Sequence, residues 1–371
     1  MTRQPPLCFL PCLVLLLAGC RPDGVEEPRQ PVEYDPTPYS LEIGHFPPPA
    51  IPEDNPLTEA GVQLGRMLFY EKRLSGDNTQ ACADCHLQSR NFSDGAVFSL
   101  GITGEEGHRH SMVLSNLAWH VHHGESHGHG FFWDGRAATV RDQVLQPIED
   151  PLEMDEHLEN VIVKLGAEQD YVDQFKRAFD SEDITEERLA LALEQFLFSM
   201  VSNNSKYDRW LLGEAALSES EERGRVLFFD EFDPFNPETS GADCAHCHSG
   251  LDFSNHQFGN NGLDADEDME DIGYMGVTGD GGDLGKFKTP SLRNVMMSAP
   301  YMHDGRFANI DEVLDHYDHG AVSSTSLDPM MQYNVDYGLG LTEQDRADLI
   351  AFLHTLTDLD FLENPAFSSP H

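Results

Sequence analysis

The pentapeptide Cys-x-x-Cys-His occurs twice in this chain, at residues 82–86 and at residues 244–248. This spacing is the attachment motif of a c-type haem, in which two thiols bind the porphyrin covalently and the adjacent His ligates the iron. A zinc site could use two Cys-x-x-Cys pairs, but it would not explain a His directly after each pair. The sequence therefore predicts two covalently bound haem c groups, one in each of two domains. Their attachment residues are Cys82, Cys85, His86, Cys244, Cys247 and His248.

The N-terminus has the features of a lipoprotein signal peptide. An apolar run over residues 7–17 follows Arg3, and small residues directly precede Cys20. Such a run is typical of a cleaved leader and is too short to span a membrane. We expect residues 1–19 to be removed and Cys20 to be acylated, so that a lipid anchor alone holds the protein on a membrane, facing the periplasm. The alternative is an ordinary signal peptide with a chance Cys. Residues 20–56 are rich in Pro and acidic residues, which is typical of a tether.

The net charge of the chain is −42 at pH 7. A field this negative repels nucleic acid and attracts basic partners, among which a basic electron-donor protein is one candidate. An acidic surface adapted to a saline habitat explains the charge equally well. Charge therefore excludes nucleic acid as a partner and does not identify the partner protein.

The two halves of the chain repeat one another. Residues 64–71 match residues 223–230, and both blocks have the apolar spacing of a helix and precede a haem motif by a short loop. After each haem motif comes a second matched pair, Trp133-Asp134-Gly135-Arg136 and His303-Asp304-Gly305-Arg306. We expect both halves to follow the order helix, haem motif, long loop, Asp-Gly-Arg turn, helix.

Two further segments have strong helical patterns, at residues 187–200 and residues 343–356, and no alternating strand pattern stands out. The predicted fold is therefore all-α, with two cytochrome-c-like domains that each hold one haem. We place the first domain at residues 57–210 and the second at residues 211–371. Residues 254–286, rich in Gly and Asp, are expected to form a surface loop.

The repeat also predicts a difference between the two haems on the side of the iron opposite the motif histidine. Tyr317 lies fourteen residues after His303, and Pro147 lies fourteen residues after Trp133, the counterpart of His303. Tyr can ligate iron, whereas Pro has no side-chain donor. If the halves share geometry, Tyr317 closes the second haem and the first is open. Met302 is the main alternative ligand for the second haem, and His316 and His319 are others.

Several motifs together resemble the bacterial di-haem cytochrome c peroxidase family, particularly its MauG-like branch. Besides the two haem motifs, the resemblance is carried by residues 132–136, 147–154, 287–294 and 299–305, and it covers about residues 56–360. It implies that Trp133 relays electrons between the haems and that Gln143 and Glu153 line a peroxide pocket. A carboxylate over an open iron can move a proton from one peroxide oxygen to the other. Tyr317 falls where MauG has an axial Tyr and other members have Met.

One departure from the family pattern concerns the first haem. Other members place a distal His about sixteen residues after the first haem His, where it blocks the iron until the enzyme is reduced. The local match places Ile102 at that position, and Ile cannot ligate. His108 and His110 lie nearby and could substitute. We expect a first haem that needs no activation by loss of a ligand.

The resemblance also implies a calcium ion between the domains, with Asn116, Ser298 and Pro300 at its site, the latter two through backbone carbonyls. Members of the family often pair as dimers, which adds a homodimer to the expectations. Residues 120–129 contain five His. They could bind a transition metal, although a polar loop exposed to solvent explains them better.

These features predict a di-haem c-type peroxidase, a cytochrome-c-peroxidase-like oxidoreductase. It reduces hydrogen peroxide at the open N-terminal haem with electrons relayed through the C-terminal haem. The electron donor would be a small cytochrome c or a copper protein. One alternative is a MauG-like oxidase that modifies side chains of a partner protein. Another is a non-catalytic di-haem electron carrier, which would require both irons to be closed.

Overall fold

The computed structural model describes Met1, residues 31–120 and residues 130–370. The chain separates into two units, residues 1–32 and residues 33–371, and the described helices and strands all lie in the second. The predicted signal peptide, the acylated Cys20 and most of the His-rich stretch lie outside the described residues. In the part that is described, no helix is long and apolar enough to cross a membrane.

Most of the regular secondary structure in the described residues is helical, and it includes short 3-10 turns. The α-helices are α1 (Glu59–Phe69), α2 (Cys82–Cys85), α3 (Val140–Glu149), α4 (Leu158–Gly166), α5 (Gln169–Phe179), α6 (Glu186–Ser199), α7 (Lys206–Leu211), α8 (Glu219–Phe229), α9 (Met275–Thr278), α10 (Ile310–Asp315), α11 (Gln332–Tyr337), α12 (Glu343–His354) and α13 (Leu359–Leu362). A π-helical turn at His316–Gly320 continues α10. Strands β1 (Phe258–Gly259) and β2 (Phe287–Lys288) pair antiparallel, with Phe258 opposite Lys288. The all-α prediction is confirmed.

Both halves are built on a pair of closely packed helices. Helix α1 packs on α6 in the first half, and α8 packs on α12 in the second. Gly65 and Gly224 occupy matching places at these crossings, where an added Cβ would overlap the backbone carbonyls of Ala192 and Asp348. The sequence blocks that suggested the repeat are therefore the helix pairs on which each half is assembled, and glycine permits their close approach.

Two hydrophobic cores correspond to the two halves. The first takes its residues from Leu57 to Met200, and the second from Tyr207 to Leu356. The chain then returns to the first core, where Phe361, Leu362 and Phe367 are buried. The ring of Phe361 packs edge-on against Phe92, with 5.7 Å between ring centroids. This return of the C-terminal residues was not part of the sequence-based prediction.

Candidate active site and family

The two Asp-Gly-Arg turns have the same backbone conformation. Phe132 and Met302 both have positive φ angles, of 66° and 76°, and Gly135 and Gly305 follow with 73° and 63°. An isolated bridge closes each turn, Phe131 with Ala137 and Tyr301 with Phe307. The sequence repeat is thus a structural repeat, and it delivers α3 and α10 to equivalent places.

Both haem motifs open into one cavity of about 1010 Å³. From the first half it is lined by Cys85, His86, Trp133, Gln143, Pro147 and Glu153, and from the second by Cys244, Cys247, His248, Met302 and Tyr317. Cys82 packs against the first core beside them. The fold therefore brings the residues predicted for haem attachment and for catalysis to one connected space.

The two motif histidines are held in the same way. Nδ1 of His86 lies 2.7 Å from the carbonyl oxygen of Phe92, and Nδ1 of His248 lies 3.2 Å from that of Phe253. A carbonyl can only accept, so Nδ1 carries the proton and Nε2 keeps the lone pair that a metal needs. Burial lowers the pKa of both rings, that of His248 to about 4, which keeps them neutral.

Glu153 lines the cavity, and its pKa is strongly shifted. Burial raises the pKa of its carboxyl to about 7, with nearby Asp150 adding to the rise and Arg136 opposing it. Gln143 and Pro147, four residues apart on α3, line the same cavity. A carboxyl with a pKa near neutrality can both accept and release a proton at physiological pH.

Ile102 lies against the segment that carries Glu153, its backbone N–H donating to the Glu153 carbonyl at 2.9 Å. His110 is buried, and its two ring nitrogens contact the Ser93 hydroxyl at 3.1 Å and the Ala96 carbonyl at 3.0 Å. His108 lines the cavity and is exposed. Of the two alternative ligands for the first haem, His110 is thus engaged by protein groups.

Trp133 lies where the two halves meet. Its Nε1 donates to the carbonyl oxygen of His110 at 2.8 Å, and its own carbonyl accepts from the backbone N–H of Lys288 in β2 at 2.8 Å. The backbone N–H of His110 in turn donates to the carbonyl oxygen of His303 at 2.7 Å. Hydrogen bonds therefore connect the indole to the Asp-Gly-Arg turn of the second half.

Tyr317 and Met302 both lie near Asn261 in the part of the cavity formed by the second half. Nδ2 of Asn261 lies 3.2 Å from the Tyr317 hydroxyl and 3.6 Å from Sδ of Met302. Burial raises the pKa of Tyr317 to about 12. His316 contacts the Asn261 carbonyl through Nε2 at 3.0 Å, and His319 is largely exposed beside Asp318. Tyr317 and Met302, but neither His, line the cavity.

Of the three residues predicted to bind calcium, Asn116 is hydrogen-bonded within the protein, whereas Ser298 and Pro300 line the haem cavity. The side chain of Asn116 accepts from the Ser202 backbone N–H at 2.8 Å and donates to Asp252 at 3.1 Å. Ser298 and Pro300 line the haem cavity, with the Ser298 carbonyl near His110. These contacts use both ends of the Asn116 amide within the protein, and they give the calcium site no support.

Asn261 was missed by the sequence analysis. It belongs to the Gly- and Asp-rich segment expected to lie on the surface, and an Asn in such a segment carries no distinguishing signal. Arg136 was present in the repeated turn, but only the structure places its charge near Glu153.

The comparisons with known proteins agree with this geometry. Residues 59–216 match the family model for di-haem cytochrome c peroxidase, and residues 222–357 match that for cytochrome c. The methylamine utilization protein MauG of Methylorubrum extorquens is 36% identical over 307 residues, which are 82% of this chain and 80% of that protein. The chain belongs to the di-haem cytochrome c peroxidase family.

Other members of the di-haem cytochrome c peroxidase family are similar at comparable levels. Cytochrome-c peroxidase IdrP1 of Denitromonas iodatirespirans is 30% identical over 85% of this chain and 86% of that protein. A solved structure, described as a MauG-like protein associated with microbial copper homeostasis, has a TM-score of 0.78 and 35% identity, covering 90% of this chain and 99% of that one. The predicted family and enzyme class, a peroxide-using cytochrome-c-peroxidase-like oxidoreductase, are confirmed.

The family's two cytochrome c domains imply two haem c groups, and the residues present fit them. Three of the four motif thiols line one cavity, and the fourth, that of Cys82, lies beside it. In each motif histidine, Nε2 is unprotonated and can bind iron through its lone pair. Cys82, Cys85 and His86 would hold one haem, and Cys244, Cys247 and His248 the other.

Proposed function

We propose that this enzyme reduces hydrogen peroxide in the pocket formed by His86, Pro147, Gln143 and Glu153. The proposal rests on the position and pKa of Glu153. This acid lies on the wall of the cavity that both haem motifs share, and burial raises its pKa to about 7. A half-buried acid whose pKa lies near neutrality, on the wall of a cavity shaped for haem, is suited to proton transfer.

The chemistry divides between cofactor and protein. The haem held by Cys82, Cys85 and His86 would supply the binding and reduction of peroxide. Pro147 offers no side-chain donor to that haem. The Glu153 carboxylate would take the proton from one peroxide oxygen and return it to the other as the O–O bond breaks. The Gln143 amide would orient peroxide by a hydrogen bond. Each peroxide consumes two electrons and two protons and yields two waters.

Trp133 is proposed to carry electrons between the halves. Its buried indole lies at their junction and is hydrogen-bonded to His110, whose own backbone reaches the turn before Tyr317. Tyr317 is the proposed sixth ligand of the second haem, with Met302 as the alternative. As a phenolate ligand, Tyr317 would favour the oxidised state of the iron in the haem held by Cys244, Cys247 and His248.

Two sources of electrons suit this site. A small cytochrome c or a copper protein would make the enzyme a peroxidase, as the names of several relatives indicate. Oxidation of side chains on a partner protein is the second candidate, and the 36% identity to MauG and the TM-score of 0.78 to a MauG-like protein favour it. The peroxide chemistry in the first pocket is common to both.

Attachment to a membrane through acylated Cys20, exposure to the periplasm and removal of residues 1–19 remain proposals, supported by the leader sequence. A tether at residues 20–56 and domain limits at 57–210 and 211–371 are proposals as well, as is a homodimer. In the described part of that segment, Tyr39, Leu41 and Ile51 pack against the first core, so a free tether would have to precede them. Calcium at Asn116, Ser298 and Pro300 rests on the family resemblance alone.

Stopped-flow mixing of the ferric holoenzyme with peroxide tests the proposal. We expect a rapid reaction in the wild type and a much slower one in Glu153→Gln. The exposed Glu159 on α4 gives a matched control in Glu159→Gln, which should react like the wild type. Equal rates in all three proteins would remove Glu153 from the mechanism. Turnover with a reduced cytochrome, compared with covalent change in a co-expressed partner protein, would then distinguish the two electron sources.

A further inference from the structure

We propose that His120, Asp252 and His256 form a binding site for a divalent transition-metal ion, separate from the two haem irons. One donor atom from each residue can be chosen so that all three lie within 4.8 Å of one another. Nε2 of His120 is 2.7 Å from Oδ2 of Asp252, and the two imidazole rings lie 4.2 Å apart between centroids. Three donors at these separations can close around a single ion.

The cluster lies in the interior of the protein. Asp252 and His256 are 2% and 6% exposed, and the side chain of His120 is 9% exposed. A buried carboxylate is costly unless a positive charge compensates it. Within the protein, His120, His256 and Arg293 act on this carboxylate, but the Arg293 guanidinium makes both of its 2.9 Å contacts to Asp208 and approaches Asp252 only to 4.0 Å. A metal ion held by the two imidazoles would place a positive charge directly against Asp252.

Neighbouring side chains hold the Asp252 carboxylate in place. Its Oδ1 accepts hydrogen bonds from Nδ2 of Asn116 at 3.1 Å and from Oγ of Ser291 at 3.1 Å. Its Oδ2 is turned toward His120. Ligating carboxylates are commonly fixed by such hydrogen bonds on the oxygen that does not bind the metal. Asn116 therefore serves this cluster by orienting Asp252.

A second set of contacts fixes the tautomer of His256. The Ser254 hydroxyl donates to the carbonyl oxygen of Thr289 at 2.7 Å, so toward Nδ1 of His256, 3.3 Å away, it can only accept. Nδ1 therefore carries the proton, and Nε2 carries the lone pair. Metal-binding histidines are typically held in this way, with the nitrogen that does not bind the metal donating to a neighbour.

The donor set indicates the class of ion. Two imidazole nitrogens and one carboxylate oxygen suit Zn²⁺, Cu²⁺ or Ni²⁺, whereas Ca²⁺ and Mg²⁺ prefer oxygen ligands alone. Lys288 is a further positive group near Asp252, and its ammonium lies 3.4 Å from the carbonyl oxygen of His256. The three ligands found among the described residues leave a coordination position for water or another donor.

The location gives the ion a structural consequence. His120 comes from the first half and lines the haem cavity, while Asp252 and His256 follow the second haem motif. One ion would therefore tie the loop before Trp133 to the segment after His248. The site stands independently of the proposed peroxide chemistry, because none of its residues is assigned a part in that chemistry.

Zinc binding to the untagged holoprotein tests this site. The protein, with both haems, is stripped with a chelator, dialysed against micromolar Zn²⁺ and analysed for zinc and iron by mass spectrometry. We expect one zinc for every two irons in the wild type. His120→Gln and His256→Gln should each weaken zinc binding by about 100-fold or more, because loss of a ligand should exceed the 10–100-fold typical of its supporting contacts. Ser254→Ala, which keeps all three ligands, should weaken it by about tenfold.

Two controls locate the ion. His354→Gln removes an exposed histidine of α12 and should bind zinc like the wild type. Replacing His122, His123, His127 and His129 together with Gln should also leave zinc bound, since the proposed ligands are His120, Asp252 and His256. Haem absorption spectra and melting temperatures without zinc verify the fold of each variant. A zinc-dependent rise in melting temperature in the wild type, absent from His256→Gln, provides an independent readout.

The proposal fails if the wild type retains no zinc at micromolar concentration. It also fails if His120→Gln and His256→Gln bind zinc like the wild type, or if only the variant of residues 122–129 loses the ion. The last result would assign metal binding to that stretch. Because the assay measures metal content, its outcome does not depend on whether the enzyme turns over peroxide.

Discussion

Ile102 donates its backbone N–H to the carbonyl oxygen of Glu153 at 2.9 Å. The preceding Gly101 lies so close to the same segment that an added Cβ would overlap the carbonyl of Leu152. The loop on which other family members carry a distal His is thus fastened to the residues that line the first pocket. The family resemblance aligns Ile102, which cannot ligate iron, with that His.

We therefore predict that the ferric enzyme needs no reductive activation. Low-temperature EPR of the protein as isolated should show one high-spin and one low-spin signal, and peroxide should remove the high-spin signal. Two low-spin signals that peroxide leaves unchanged would mean that both irons are closed, with His108 as the first ligand to examine. The electron-carrier interpretation would then replace the enzymatic one.

The pH dependence of the peroxide reaction should report Glu153. Burial raises the pKa of this carboxyl to about 7, so it is mostly protonated at pH 6 and mostly ionised at pH 8. If the ionised form accepts the peroxide proton, the rate should increase as pH rises through about 7. Glu153→Gln should abolish this step and lower the rate by about 10²–10⁴-fold, the usual contribution of a general base. A pH profile that survives the substitution would assign the titration to another group.

Tyr317 and Met302 can be distinguished by substitution. Tyr317→Phe keeps the aromatic ring but removes the hydroxyl oxygen, the only side-chain atom of Tyr317 that could bind iron. The low-spin EPR signal of the wild type should therefore be lost from this variant. Met302→Leu should leave that signal in place, because Leu replaces Met with little change in volume. The opposite pattern, with the signal changed only by Met302→Leu, would make Met302 the ligand.

Trp133→Phe should slow electron transfer between the two halves of the protein. The substitution removes the indole and its hydrogen bond to the His110 carbonyl, while the first pocket retains Glu153 and Gln143. Binding of a small ferric ligand should change little, but electron transfer from the second haem after peroxide addition should slow markedly. Trp119→Phe is the matched control, since Trp119 packs on the first core and donates to the Pro47 carbonyl. Equal slowing by both substitutions would indicate a general structural effect.

Gly224→Ala should destabilise the second half. Its added methyl group would overlap the Asp348 carbonyl where α8 crosses α12, and overpacking of this kind costs about 1–3 kcal/mol. Thermal unfolding followed by far-UV circular dichroism would measure the loss. Gly166→Ala is the control, because a Cβ at that position of α4 meets no other atom within 4 Å. It should be neutral or slightly stabilising, as Ala favours the helix over Gly.

The main helices could be predicted from the sequence because their apolar spacing is a local pattern and because that pattern occurs in both halves. The helices predicted around residues 64–71, 187–200, 223–230 and 343–356 are all present, with ends that differ by a few residues. Self-similarity of the halves also predicted that Pro147 and Tyr317 would occupy corresponding places, and both line the cavity. Such inferences need only a motif, a helical period and an internal alignment.

Other features depend on contacts between residues far apart in the chain. His120 and Asp252 are 132 residues apart, and the burial that tunes Glu153 comes from the walls of a cavity built by both halves. Phe361 and Phe367 could not be assigned to the first core from their neighbours in sequence. The sequence alone determined the haem attachment motifs, the repeat and the helical fold class, since each is a matter of local spacing. Only the tertiary structure decided which acid is buried and which distant side chains meet, because burial and proximity are properties of the packed chain.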